Sequence, residues 1–341
     1  MKRNSQVLAA YTICALVVLM GCGRQDTGDQ TEGGEVSSRS KRLKKRAIPA
    51  VSTNFPDGST YVGGWQNTNM HGEGKLSYID GSVYDGEWKK GILHGKGTLT
   101  LTNGYVYAGD FKEGERTGKA SITFPDGGSY VGELSDGTPH GKGEIKYADG
   151  GSYEGDLHKG KRYGKGTLLN KDGSSYIGDW RNDLQHGLGK WTFANGDIFD
   201  GEFNKGSRLG PGKLVQADGT TYTGQWMDSG MTGSGTVSRA DGYLYQGYFK
   251  ESRYQGFGKL NHPNGQNYRG EFVNGTLEGT GVLKYVSGVI YKGQFKGGKR
   301  HGKGMTIDPD GYERPGEWTN GEFTKLAIPE RDDAPIDPAD K

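Results

Sequence analysis

The sequence predicts an all-β fold: an elongated, twisted, single-layer antiparallel β-sheet of tandem 23-residue hairpins. Three observations predict it, namely a strict internal period, two-residue alternation within each unit, and turn dipeptides between units. Aligned on the pattern Tyr-x-Gly-x-aromatic, the first position falls on Tyr61, Tyr84, Tyr107, Tyr130, Tyr153, Tyr176, Phe199, Tyr222, Tyr245, Tyr268, Tyr291 and, degenerate, Arg314. Gly follows two residues later in every unit, from Gly63 and Gly86 to Gly316. A bulky apolar residue stands four places after the start: Trp65, Trp88, Phe111, Leu134, Leu157, Trp180, Phe203, Trp226, Phe249, Phe272, Phe295 and Trp318.

The second half of each unit reads Gly-x-Gly-x-aliphatic, as in Gly72, Gly74, Leu76 and Gly95, Gly97, Leu99, and the aliphatic place stays apolar, with Trp191 among its occupants, except at Thr306. Successive side chains of a strand point to opposite faces, so each unit reads as a pair of short, half-buried strands. Asp-Gly or Asn-Gly joins the units, for example Asp80-Gly81 and Asn103-Gly104, and suits tight hairpin turns because both residues tolerate positive φ. A second, inner turn carries Gly in eight of twelve units, among them Gly91 and Gly114. Pairing about the inner turn sets Tyr84 opposite Leu99 and Gly86 opposite Gly97. The rings then lie across bare glycine backbone in place of a second layer. On the opposite face the same pairing predicts a charge ladder of Glu87, Asp110, Glu133 and Asp156 against Lys96, Lys119, Lys142 and Lys165. Each pair is worth only about 0.2–1 kcal/mol.

The composition fits this reading and limits others. The 341 residues include 63 Gly and only 31% AVILMFWYC, yet 11% are aromatic. Disordered chains are poor in aromatics and strongly charged, whereas here 43 basic and 41 acidic residues leave +2. That balance gives no electrostatic footprint for nucleic acid.

Before the repeats, residues 1–21 read as a targeting segment. Lys2 and Arg3 precede an apolar run from Val7 to Met20, shorter than the ~20 residues that span a bilayer. Leu19-Met20-Gly21-Cys22 resembles a bacterial lipobox. That resemblance implies cleavage before Cys22, acylation of Cys22 as the lipid-attachment residue, and, with Gly23 next, sorting to the outer membrane. Cys14 leaves with the signal peptide, so no disulfide is expected. Residues 22–50 read as a flexible tether ending in the basic run Lys41, Arg42, Lys44, Lys45 and Arg46, a solvated linker or a contact to anionic headgroups. The repeat domain occupies 51–325, its twelfth unit degenerate, and 326–341 reads as a disordered Pro/Asp-rich tail.

The units resemble MORN repeats (membrane occupation and recognition nexus). Tyr84-Asp85-Gly86-Glu87-Trp88-Lys89-Lys90-Gly91-Ile92-Leu93-His94-Gly95-Lys96-Gly97 meets the whole pattern Tyr-x-Gly-x-Trp/Phe-x-x-Gly-x-x-His-Gly-x-Gly. The resemblance covers about residues 55–323. It implies a twisted sheet with a concave aromatic face that scaffolds proteins and, in some members, touches lipids. At ~4.8 Å per strand, twelve two-stranded units would reach roughly 110 Å.

No catalytic set stands outside the repeat pattern, so no enzymatic activity, cofactor or metal is expected. His71, His94, His140, His186 and His301 share one repeat position. Equivalent places in adjacent repeats are ~10 Å apart, too far for ligands ~2 Å from one zinc, so these imidazoles are expected to bond backbone beside the inner turn. The Gly-x-Gly pairs lack the following Gly of a dinucleotide fingerprint and the Ser/Thr of a P-loop. The function expected is a lipid-anchored envelope scaffold binding an unidentified envelope protein, with no nucleic-acid partner. The alternatives are a glycan- or peptidoglycan-binding surface and a binder of lipid headgroups. The candidate binding face is the aromatic stripe Tyr61, Trp65, Tyr84, Trp88, Tyr107, Phe111, Tyr130, Tyr153, Tyr176, Trp180, Tyr222, Trp226, Tyr245, Phe249, Tyr268, Phe272, Tyr291 and Phe295.

Overall fold

The computed structural model describes residues 51–326. The expected signal segment, Cys22, the tether and the tail after Leu326 lie outside the described residues. The chain is all-β, with twenty-five strands among the described residues: a short opening strand Val51–Asn54, then seven-residue and nine-residue strands in alternation, and a closing strand Glu322–Leu326. Contacts divide the chain into two units, 1–148 with 157–161 and 149–156 with 162–341. In the first unit, strands from Thr60–Gln66 and Asn69–Ser77 to Ser129–Ser135 and Thr138–Lys146 pair antiparallel in chain order. The second unit runs the same way from Lys161–Leu169 and Ser175–Arg181 to the closing strand.

The two kinds of turn divide the labour differently from expectation. Beyond the first repeat, where only Asn67 has positive φ, the inner turns are the two-residue ones with two consecutive positive-φ residues, such as Lys90 (φ 53°) and Gly91 (φ 79°), the backbone of a type I′ hairpin. The Asp-Gly joints are longer. Gly81 N–H donates to Tyr78 O (3.0 Å), Tyr78 N–H donates to Ser82 O (2.9 Å), and only Gly81 has positive φ, at 87°. Asp80 serves instead as an acceptor: its Oδ1 takes the Ser82 N–H at 2.8 Å. Asn103, Asp126 and Asp218 do the same two residues ahead.

The repeats also carry a bulge that the sequence pattern did not expose. Gly178 faces Gly189, but the next residue, Asp179, faces His186, so two residues of the longer strand are extruded. The first of them, Gly187, sits at φ 56°; Gly95, Gly118 and Gly210 repeat the conformation. The freed N–H after the bulge glycine is taken by the acidic place: Lys96 N–H donates to Glu87 Oε1 (3.0 Å) and Lys165 N–H to Asp156 Oδ2 (2.9 Å). This corrects the charge ladder. The extra residues move Lys96 away from Glu87 and opposite Asp110 of the next repeat, 3.3 Å away, and they set Lys165 against Asp179 at 2.6 Å. The two glycines of Gly-x-Gly thus have separate reasons, the first conformational and the second steric.

The steric one makes the core. A Cβ placed on Gly97 would lie 2.6 Å from Cε2 and Cζ of Tyr84, and one on Gly86 2.7 Å from its hydroxyl. The Tyr84 ring therefore lies flat over both glycines, as expected, and its hydroxyl donates to Glu87 O at 2.9 Å.

Candidate binding surface

The rings proposed as a binding face form the core of the sheet. Tyr61, Tyr84, Tyr107, Tyr153, Tyr176, Tyr245 and Tyr291 are wholly buried, Tyr130 and Tyr268 almost so. Trp88, Phe111, Trp180, Trp226, Phe249, Phe272 and Phe295 join them, while Trp65 and Tyr222 are half-buried. Tyr61, Tyr84, Tyr176, Tyr245, Tyr268 and Tyr291 each meet two rings edge-on, the bulky residue of their own strand and that of the following repeat. Tyr84 lies 5.1 Å from Trp88 and 5.2 Å from Phe111, and Tyr268 lies 5.2 Å from Phe272 and 5.1 Å from Phe295. T-shaped pairs of this kind add about 0.5–1.5 kcal/mol each beyond area burial. Burial also raises the phenol pKa values, to about 12 at Tyr107, Tyr130, Tyr245 and Tyr268. Leucines 134 and 157 take the bulky place in two repeats and are buried there.

A row of arginines that sequence reasoning missed covers part of this ring layer. Arg162 lies 4.2 Å above Trp180 and donates from Nη2 to Asp183 O (2.9 Å); Arg208 lies 4.6 Å above Trp226 and donates to Ser229 O (2.6 Å). Arg300 donates likewise to Gly321 O (2.8 Å). Each ties a ring to the inner turn of the next repeat, and burial lowers the Arg208 pKa. Their signal was a spacing of 46 residues, two periods, from Arg116 through Arg162 and Arg208.

Open surface lies on the opposite face, formed by the residues between those of the ring rows. In the first unit it holds a groove of about 790 Å³, floored by Gly86, Gly97, Ala108, Gly109, Ser121 and Gly132, and edged by Glu73, Asp85, Lys96, Lys119, Glu133 and Lys142. Val62 and Val131 stand exposed on this face. In the second unit a groove of about 550 Å³ is lined by Phe257, Arg269, Thr280, Gly281, Val282, Gly293, Gln294 and Lys303. Here Tyr248 takes the acidic place and Phe257 the Lys place, 51% and 65% exposed. Tyr248 and Phe257 were not singled out from the sequence, because each departs from the repeat consensus individually.

The repeat histidines do not bond as expected: Nδ1 of His71, His186 and His301 is buried without a hydrogen-bond partner among the described residues. His140 instead meets the His158 ring edge-on at 4.7 Å. Among the described residues, no three His, Cys, Asp or Glu groups converge on a common metal position.

The MORN-repeat family pattern matches eleven times, at residues 61–83, 84–104, 107–129, 130–152, 153–175, 176–198, 199–221, 222–242, 245–266, 268–290 and 291–311. The chain belongs to the MORN-repeat family. Its twelfth unit, headed by Arg314, falls outside these MORN matches but still forms a hairpin with Trp318 buried. No curated protein matches the MORN-repeat chain. Among solved structures it is similar to the SAS-4 TCP domain of Drosophila melanogaster in complex with a proline-rich motif of Ana2. The identity is 15%, over 59% of this chain and 90% of that one, with a TM-score of 0.27. A second is the TCP10 domain of Danio rerio CPAP in complex with a peptide of STIL, at 13% identity over 81% and 99%, TM-score 0.24. A third, virginiamycin B lyase from Staphylococcus aureus, reaches 12% over 78% and 93%, TM-score 0.13. Superposition this low bears on neither the function nor the partners of the MORN-repeat chain.

Proposed function

We propose that this chain is a non-catalytic, lipid-anchored binding scaffold of the bacterial envelope that receives a protein partner on the sheet face opposite its rings. The observation that carries the reading is the division of the two faces. The repeat aromatics are spent on the glycine-bare backbone and buried, whereas the other face offers two open grooves, one holding Val131 and one Phe257, and exposes Val62, Ile177 and Leu188 among charged residues. Isolated apolar residues rimmed by charge are what a modest protein interface uses. Anchoring rests on Leu19-Met20-Gly21-Cys22 and concentrates the sheet at a membrane.

The test is in-envelope crosslinking from positions 62 and 131, compared with Val131→Asp and Cys22→Ser. We expect one dominant partner, lost with Val131→Asp on the face and depleted when Cys22→Ser removes the anchor. Recovery unchanged by Val131→Asp overturns the assignment of the face. Partition of Cys22→Ser protein with membranes, as for the wild type, overturns the anchor.

A second reading, favoured by the exposed rings of Tyr248 and Phe257, is stacking of sugar rings from the cell wall. Sedimentation with purified sacculi separates the two. Enrichment of wild type that Phe257→Ala abolishes supports the glycan; no enrichment removes it.

A further inference from the structure

The strand face of the second unit changes character near its end, and the change has a direction. Flanking the glycines on one side runs a row of residues opposed across successive strands, Lys259, Arg269, Val282, Lys292 and Met305. It contains no acid. Earlier in the same unit the equivalent row alternates, Lys190 facing Asp200 and Asp200 facing Lys213. On the other flank the acidic and basic places are given up to Tyr248 and Phe257, and the Glu271 carboxylate is engaged by the Thr280 N–H and hydroxyl at 3.0 and 2.8 Å. Lys259, Arg269, Lys292 and Lys303 are exposed and have no ion-pair partner among the described residues. The result is a groove in which Lys259, Arg269, Lys292 and Lys303 outnumber the carboxylates of Glu271, opposite Phe257, and Glu317, opposite Lys303, with an aromatic platform at one end.

The register says what can reach it. Gly258, Gly270, Gly281, Gly293, Gly304 and Gly316 form one continuous row across the strands, and the residue that completes the row is Leu326, the last of the closing strand. The chain therefore leaves the sheet on the lateral line that forms the groove floor. The fifteen residues that follow, 327–341, carry Glu330, Asp332, Asp333, Asp337 and Asp340 against Arg331 and Lys341, with prolines at 329, 335 and 338. Their side chains thus sum to −3, five acids against two bases. From Leu326 to the strand of Phe257 is six strand spacings, about 29 Å. Fifteen residues in the polyproline conformation span about 46 Å.

We propose that this groove is a docking site for an acidic, proline-bearing extended peptide, and that segment 327–341 of the same chain is its occupant. The segment crosses the strands over the glycine row. Its carboxylates face Arg269, Lys292 and Lys303, and its proline rings rest on Phe257. Such docking covers one groove of the scaffold while leaving the groove of the first unit open. It does not depend on the scaffold reading: a partner can be captured at positions 62 and 131 whether or not the tail docks, and the tail can dock in a chain that captures none.

The test places a photo-crosslinking phenylalanine analogue at Ile336 of the full acylated chain in detergent and maps the crosslinks by mass spectrometry. Mixed light and heavy isotope preparations distinguish links within a chain from links between chains. We expect intrachain links to Val282, Met305 and their strand neighbours. Yield should fall about fivefold to tenfold in the exposed-surface variant R269Q/K292Q/K303Q and at high salt, since exposed pairs are individually weak. The paired reversal R269E/K292E with D332K/D333K should restore it, which a general folding defect could not do. Links elsewhere on the sheet, links between chains or into lipid, no links, or a yield that ignores both charge sets each overturn the proposal.

Discussion

At the residue scale, one repeat solves the common packing problem with a different side chain. In the repeat headed by Tyr222 the methyl of Met231 occupies the space above Gly224 and Gly235. Met231 is 1% exposed, and Tyr222 is displaced to a half-buried position. An unbranched thioether can follow an irregular gap that a rigid ring cannot share with it. Met231→Ala should therefore cost about 2–5 kcal/mol and Tyr222→Phe under about 1 kcal/mol, the reverse of the ranking the repeat pattern implies. Urea unfolding of the two variants measures this, and equal losses would remove Met231 from the core. The exchange was not legible in advance, because Met70 holds the same place in the first repeat and leaves Tyr61 fully buried. Glycines allow a sharper comparison. Gly72 has φ 74° and open space around a would-be Cβ, so Gly72→Ala adds only backbone strain, about 1 kcal/mol. Gly97→Ala drives a methyl into the Tyr84 ring and should cost about 1–3 kcal/mol or more. A calorimetric midpoint lowered more by the first than by the second would contradict the steric role of the second glycine.

At the element scale, the hairpin joins three local devices: a two-residue inner turn, a bulge closed by an acid, and a Tyr hydroxyl bonded to the carbonyl beside the bulge. The Tyr176 hydroxyl donates to Asp179 O at 3.0 Å, and Asp179 accepts the Leu188 N–H at 3.1 Å. Ionisation of the buried phenols, and of the aspartates at the joints between repeats, bears on stability. Burial raises the phenol pKa of Tyr107, Tyr130, Tyr245 and Tyr268 to about 12, so the folded state holds its protons more tightly than the unfolded chain near 10. That contribution is fully present below pH ~10 and is lost as pH rises through about 12. The carboxylates act in the opposite direction. Hydrogen bonds from Ser59, Ser174 and Thr220 lower Asp57, Asp172 and Asp218, so the stability they lend is present above their ordinary pKa and is lost on acidification below it. Alkaline titration followed by tyrosinate absorbance should show buried phenols ionising together with loss of strand circular dichroism above pH ~10. Ionisation near pH 10 with the sheet intact would mean that the rings are accessible to water. The strands and their partners were legible from the Tyr-x-Gly and Gly-x-Gly alternation. The bulge was not, because a glycine kept for positive φ and one kept for lack of a side chain are written with the same letter. The displaced ladder of Lys96 and Asp110 follows from that ambiguity.

At the scale of the whole molecule, the repeat made the fold legible and made the binding surface hard to see. Ring positions that recur, such as Tyr84 and Trp88, recur because the sheet needs them, and the structure buries them; the exposed rings are those where recurrence lapses, as at Tyr248 and Phe257. Stability likewise belongs to neighbouring hairpins, since each ring spans only its own unit and the next. Gly189→Ala tests this within the second unit. A Cβ there meets Cε2 and Cζ of Tyr176 at 2.5 Å, and Tyr176 in turn packs on Trp180 and Phe203. Hydrogen exchange should accelerate in strands Ser175–Arg181, Leu184–Thr192 and Ile198–Asn204, fade over the adjoining repeats, and leave Ile290–Lys296 at wild-type protection. A conventional domain with one shared core would lose protection everywhere by the same free energy. Uniform acceleration across Ile290–Lys296 and Ser175–Arg181 would therefore show that the hairpins share a core, and that ring-on-glycine packing between neighbours is not what holds the sheet together.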